Sequence, residues 1–88
     1  VFANWFRALR DRQARARIQV RIDRLQLGLP GDVKTKGKGV SELRIDYGPG
    51  YRIYFTKRGR VLIILLAGGD KRTQERDIIK AIQLANDL

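Results

Sequence analysis

The stretch ELRIDYGPGYRIYF, residues 42–55, alternates polar and apolar side chains on both sides of Gly48-Pro49-Gly50. Successive side chains of a strand point to opposite faces, so a period of two around a glycine-rich turn points to an antiparallel hairpin with one dry and one wet face. Leu43, Ile45 and Tyr47 share the dry face with Tyr51, Ile53 and Phe55, while Glu42, Arg44 and Asp46 share the wet face with Arg52, Tyr54 and Thr56. Matching the dry faces predicts Tyr47 opposite Tyr51, Ile45 opposite Ile53 and Leu43 opposite Phe55, closed by the three residues Gly-Pro-Gly. Asp46 then meets Arg52, and Arg44 meets Tyr54, on a solvent-facing surface. A slip of one residue would bury the arginines, which the cost of an unpaired buried charge disfavours.

The flanking segments supply cover for the dry face. Val61 to Ala67 is apolar on both faces, as expected of a strand that is central or covered on each side, and Gly68-Gly69-Asp70-Lys71-Arg72 ends it. Phe2, Trp5, Phe6 and Leu9 recur at helical spacing. Ala14, Ile18, Ile22 and Leu25 do the same in a second helix, capped by Asp11 and stopped by Gly28 and Pro30, with Arg12, Arg15, Arg17, Arg21 and Arg24 over most of its remainder. Residues 28–39 hold four glycines, a proline and three lysines and read as a loop with a short strand around Val33 to Thr35. Thr73 is the expected cap of a last helix whose stripe is Ile78, Ala81, Ile82 and Ala85. The expected architecture is α+β: an N-terminal helical hairpin packed on a small, mainly antiparallel sheet, with a C-terminal helix.

At 88 residues and 43% apolar content the chain suits one domain, residues 1–88, with a modest core. Nineteen Lys and Arg against nine Asp and Glu leave a net charge of +10, so polyanions are the natural partners, nucleic acid before an acidic protein or an anionic membrane. The absence of Cys excludes disulfide and thiolate chemistry, and the absence of His removes the commonest general base and metal ligand. No apolar run approaches the roughly 20 residues of a membrane span, and no signal peptide is visible, so a cytoplasmic protein without membrane attachment is expected. The chain begins with Val1 rather than Met, as a truncated or processed form does, and leaves an additional N-terminal strand open.

The wet face carries the chemistry. Two arginines, a tyrosine and two carboxylates on adjacent strands, with Lys71 and Arg72 just beyond a third, suit a phosphodiester: guanidinium forks hold phosphate oxygens and keep their charge as negative charge builds. Tyr54 can stack on a base or donate to a phosphate, and Glu42 can accept the proton of a ribose 2′-hydroxyl. Solvated ion pairs of small energetic weight account for the same residues equally well.

GVSELRIDYGPGYRIYF at 39–55 and LLAGGDKRTQERDIIKA at 65–81, preceded by Gly31-Asp32, resemble the RelE/ParE toxin superfamily, most closely the addiction-module killer proteins or phage-derived HigB-like toxins. The resemblance covers nearly the whole chain. It implies a RelE-like fold and the toxin of a type II toxin-antitoxin system: a ribosome-dependent, metal-independent and cofactor-free mRNA endonuclease that inhibits translation. Arg52 matches the central phosphate-binding arginine and Arg72 a second basic residue; Arg44 joins them, Lys71 assists the leaving group, and Glu42 or Tyr54 stands in for a missing acid-base partner, since Ile78 occupies the region of the family's C-terminal tyrosine. The implied partners are a helix-turn-helix antitoxin, the ribosome with its mRNA, and operator DNA through the toxin-antitoxin complex. The antitoxin has two basic regions open to it, the helix from Asp11 to Leu27 and the active face, with the arginine helix plus the final helix preferred. Two alternatives carry different chemistry: a ParE-like inhibitor of DNA gyrase without nuclease activity, and a non-catalytic basic nucleic-acid-binding module.

Overall fold

The computed structural model describes residues 1–60 and 62–88. Helices α1 (Phe2–Ala8) and α2 (Arg12–Gln26) precede four strands, β1 (Val33–Gly37), β2 (Val40–Ile45), β3 (Tyr51–Arg58) and β4 (Leu62–Asp70). A single 3-10 turn at Lys71–Thr73 leads into α3 (Gln74–Asn86). The strands form one antiparallel meander in chain order, so each is reached from its predecessor by a short turn.

Local chemistry sets the helix ends. The Asp11 carboxylate accepts from the backbone N–H groups of Gln13 and Ala14 at 2.9 and 3.2 Å, satisfying free donors of the first turn of α2. Ala14, Ile18, Ile22 and Leu25 are the buried residues of that helix, as its spacing predicts. At α3 the expected cap differs. Asp70 accepts from the Arg72 N–H at 2.8 Å and forms a reciprocal box with Thr73, whose hydroxyl also bonds to Asp77 within the helix.

The sheet has helices on both faces. Ile18, Ile22 and Leu25 of α2 pack with Leu43, Ile45, Ile53 and Phe55, and Phe2, Trp5, Phe6 and Leu9 extend this layer. On the opposite face Ala81 and Ala85 of α3 pack with Val40, Tyr54, Leu66 and Ala67. β4 therefore serves two cores, which explains its apolar character on both sides. Opposite Tyr54 and Phe55 it carries a bulge that pairs Ala67 and Leu65 and leaves Leu66 as the extra residue.

The hairpin register differs from the expected one by two residues. Ile45 lies opposite Tyr51, Arg44 opposite Arg52, Leu43 opposite Ile53 and Glu42 opposite Tyr54, so the connection spans residues 46–50. The dry residues keep their face, because a shift of two preserves the alternation that a shift of one destroys. The turn decides between the alternatives: Gly48 and Gly50 both have positive φ, and Gly50 N–H donates to the Tyr47 carbonyl, a local closure that needs Asp46 and Tyr47 released from the ladder. β1 also exceeds its expected length, reaching Gly37 through a two-residue turn in which Lys38 and Gly39 both have positive φ.

Gly68 and Gly69 lie inside β4 rather than after it. A Cβ at Gly68 would overlap the Trp5 ring, and one at Gly69 would overlap the Asp77 carboxylate. The pair thus lets a helix from each layer approach the same strand closely. The expected first residue of this strand, Val61, lies outside the described residues. Gly68→Ala should lower stability by about 1–3 kcal/mol, the usual cost of overpacking, and should change the emission of the one tryptophan, Trp5; denaturant unfolding followed by fluorescence checks both. Unaltered stability and emission would contradict this close packing of Trp5 on β4.

Candidate functional site

The polar face of the hairpin is not the solvent surface that its alternation suggests. Glu42 and Tyr54 are fully buried and Arg52 is 5% exposed, because α3 covers this side of the sheet. Alternation distinguishes two faces; it does not tell which of them a later helix will cover.

The buried charges are paired. Glu42 Oε1 lies 3.3 Å from Arg52 Nη1, 3.6 Å from Arg44 Nε and 3.7 Å from Lys36 Nζ. Its other oxygen accepts from the Gln74 side-chain amide at 2.9 Å. A carboxylate removed from water is costly unless its lone pairs find partners, and here four groups from β1, β2, β3 and α3 converge on it. One anion among three cations leaves the cluster positive. These pairings correct the expected cross-strand pair of Asp46 with Arg52.

This cluster opens on a cleft of about 390 Å³ lined by Arg44, Arg52 and Lys71, the 46–50 turn, and the carboxylates of Asp32 and Asp46. Three of the expected site residues thus share one recess. The backbone there is held from the other face: Arg21 of α2 donates to the Arg44 carbonyl at 2.8 Å and to the Pro30 carbonyl at 3.2 Å, and Arg44 N–H donates to the Asp32 carbonyl at 3.0 Å. Arg52 Nε is buried with no hydrogen-bond partner among the described residues. Its guanidinium keeps donor capacity that Glu42 does not use.

The other expected residues are placed differently. Arg72 is exposed, pairs with Asp70 at 3.1 Å and lines a separate depression along Lys71 to Arg76, so Lys71 alone borders both recesses. That pairing holds the Asp70 carboxyl below its ordinary pKa, through the Arg72 hydrogen bond first. Glu42 and Tyr54 lie beneath the cleft and do not line it. The Tyr54 hydroxyl is buried without a partner among the described residues, and burial, then the nearby Glu42 carboxylate, push its pKa well above that of an ordinary phenol. A phenol in that state neither stacks on a base nor donates to an outside phosphate.

Lys36 and Gln74 complete the Glu42 cluster, although nothing in their surroundings in the chain singles them out. Lys36 sits in the glycine- and lysine-rich stretch that reads as a loop, and Gln74 lies 32 positions from Glu42. Among the described residues no group of acidic, His or Cys side chains has the arrangement of a metal site, and no helix is long and apolar enough to cross a membrane.

An antiparallel sheet between helical layers, with Arg44, Arg52 and Lys71 gathered in a recess, defines a small α+β protein. The family model described as Phage derived protein Gp49-like (DUF891) matches residues 4–88. A protein of Haemophilus influenzae described as uncharacterized is 49% identical over 87 residues, which cover 99% of this chain and 88% of that protein. The chain belongs to the Gp49-like phage-derived family, a toxin-antitoxin-associated, RelE/HigB-like group. No solved structure matches the chain.

Tyr54 gives a pH prediction with a definite sign. Its pKa is raised above 10.0 in the folded state, so its contribution is fully present below pH 10.0 and is lost as pH rises towards the folded value, where ionisation of the unfolded phenol favours unfolding. Tyr54→Phe should remove this alkaline loss and, by deleting an unsatisfied buried hydroxyl, leave neutral stability unchanged or higher by up to about 1–3 kcal/mol. Unfolding measured from neutral to strongly alkaline pH checks it. Marked destabilisation at neutral pH would mean that the hydroxyl has a partner.

Proposed function

We propose that this chain is the toxin of a toxin-antitoxin pair and that it acts on mRNA held at the ribosome, gripping a backbone phosphate in the cleft of Arg44, Arg52 and Lys71. The observation that carries this reading is the convergence of those three cations on one recess, with Arg52 held by Glu42. Family membership supports the toxin and its antitoxin partner.

In this proposal the chain's own residues perform electrostatic work. Arg44 and Arg52 neutralise the phosphoryl oxygens as the 2′-oxygen attacks and the 5′-oxygen departs, and Lys71 stabilises the leaving oxygen and gives it a proton. Glu42 acts as a positioning residue rather than as the base, since all of its partners are within the fold. Asp32 and Asp46 are the carboxylates that line the cleft and are the groups available to receive the proton. In-line positioning of the strand by the ribosome supplies several kcal/mol of the barrier, which lowers the demand for a strong base.

One observation favours a second reading. Burial of Glu42 and Tyr54 leaves the cleft without a strong acid-base pair, the arrangement expected of a ParE-like gyrase inhibitor or of a binding module that cuts nothing. One fold can host either function, so the assay decides. Brief expression followed by mapping of RNA 5′ ends, with a parallel gyrase supercoiling assay, should show translation-dependent cuts within codons and unimpaired supercoiling. Arg52→Ala should lower cleavage by at least about 100-fold, the scale of one lost oxyanion donor. Intact RNA with inhibited supercoiling would overturn the nuclease reading.

A further inference from the structure

A depression of about 620 Å³ lies between α2 and the turn after β2. Its lining includes Ala16, Val20 and Ile45, and Val20 is 47% exposed. Arg17 and Arg24 also line it and are exposed, while Arg21 is engaged with the Arg44 and Pro30 carbonyls. Ile45 and Asp46 line both this groove and the phosphate cleft, so the two recesses meet at a common wall.

The wall is firmly held. Tyr47 has its hydroxyl 3.2 Å from the Asp11 carboxylate and 3.1 Å from the Gln13 side-chain carbonyl, which fastens the turn to the start of α2. The Arg17 guanidinium lies over the Tyr47 ring, 4.6 Å from its centroid. The ring attracts the guanidinium, and Arg17 is exposed, so its cationic group remains within reach of a ligand in the groove.

We infer that single-stranded RNA continues from the phosphate cleft across the Asp46–Tyr47 shoulder into the α2 groove, where a base stacks on Arg17 and a backbone phosphate pairs with Arg24. The inference rests on the RNA reading above and extends it from one phosphate to a strand. Guanidinium planes stack on unpaired bases, and apolar lining such as Val20 accepts the face of a base or ribose. Asp46, at the junction, disfavours a phosphate, so it falls between two phosphate positions. An acidic protein would use the same charges, but continuity with the phosphate cleft favours a nucleic-acid strand.

Two fully 2′-O-methylated RNAs, a dodecamer and a trimer, test this in binding assays with the whole chain, since neither can be cut through its 2′-oxygen. The variant Arg17→Ala/Arg24→Ala should weaken the dodecamer about tenfold or more and should flatten its salt dependence by about 0.7 for each phosphate that the variant no longer neutralises. The trimer, which fills only the cleft, should be weakened far less. Lys57→Ala/Lys80→Ala removes the same charge away from the track and should leave both affinities near those of the parent. Arg17→Lys keeps the charge without the plane and should recover only part of the dodecamer affinity.

Dodecamer binding unaffected by Arg17→Ala/Arg24→Ala, equal weakening for both lengths, or an equal weakening in the lysine variant would overturn the track. Loss of poly-glutamate binding with RNA binding retained would overturn it in favour of an acidic protein partner. Trimer binding unaffected by Arg52→Ala would instead remove the cleft itself, so failure of the underlying reading is distinguishable from failure of this one. Circular dichroism establishes that each variant is folded.

Discussion

The arrangement depends on a carboxylate that water does not reach. Glu42 is fully buried and gathers Arg52, Arg44, Lys36 and Gln74 from three strands and the last helix. Removing any one partner would leave a buried charge less compensated, which makes the cluster a determinant of geometry more than a source of net stability. Its consequence for function is orientation. Arg52 has little freedom to collapse onto another acid, and its guanidinium is set at the back of the cleft before any ligand arrives. Preorganised donors of this kind need little rearrangement when they meet a charged group.

The same burial shapes the chemistry available. α3 closes over the polar face of β2 and β3, and with it over the two residues, Glu42 and Tyr54, best suited by type to move protons. The recess is therefore rich in positive charge and poor in strong bases. Such a site suits a reaction in which another body sets the strand in line, or a function that stops at binding. Helices on both faces serve this end: α2 holds the Arg44 backbone through Arg21, and α3 delivers Gln74 to Glu42.

Much of the fold was legible because it follows from periodicity. The buried face of α2, its Asp11 cap, the two-faced β4 and the hairpin were each visible in local spacing. The register was not, because a shift of two residues leaves every side chain on its face, and only the closure of the Gly48–Gly50 turn selects the longer connection. The glycines at 68 and 69 read as a strand end, since the reason for them is the approach of Trp5 and Asp77 from distant segments. Of the candidate site, sequence and resemblance pointed to Arg44, Arg52 and Lys71, which the fold gathers. They also pointed to Arg72, which Asp70 holds in a separate recess, and to an exposed Glu42 and Tyr54, which a third layer covers.

In the proposed function a buried carboxylate presents Arg52, with Arg44 beside it, to a phosphodiester. Side-chain NMR of the arginine Nε–H groups during titration with dimethyl phosphate tests it most directly. Arg52 Nε–H should exchange slowly and shift together with that of Arg44 as the phosphodiester is added, while the exposed Arg72 moves little. An Arg52 signal that exchanges as fast as that of Arg72, or stays unmoved by the phosphodiester, would contradict it.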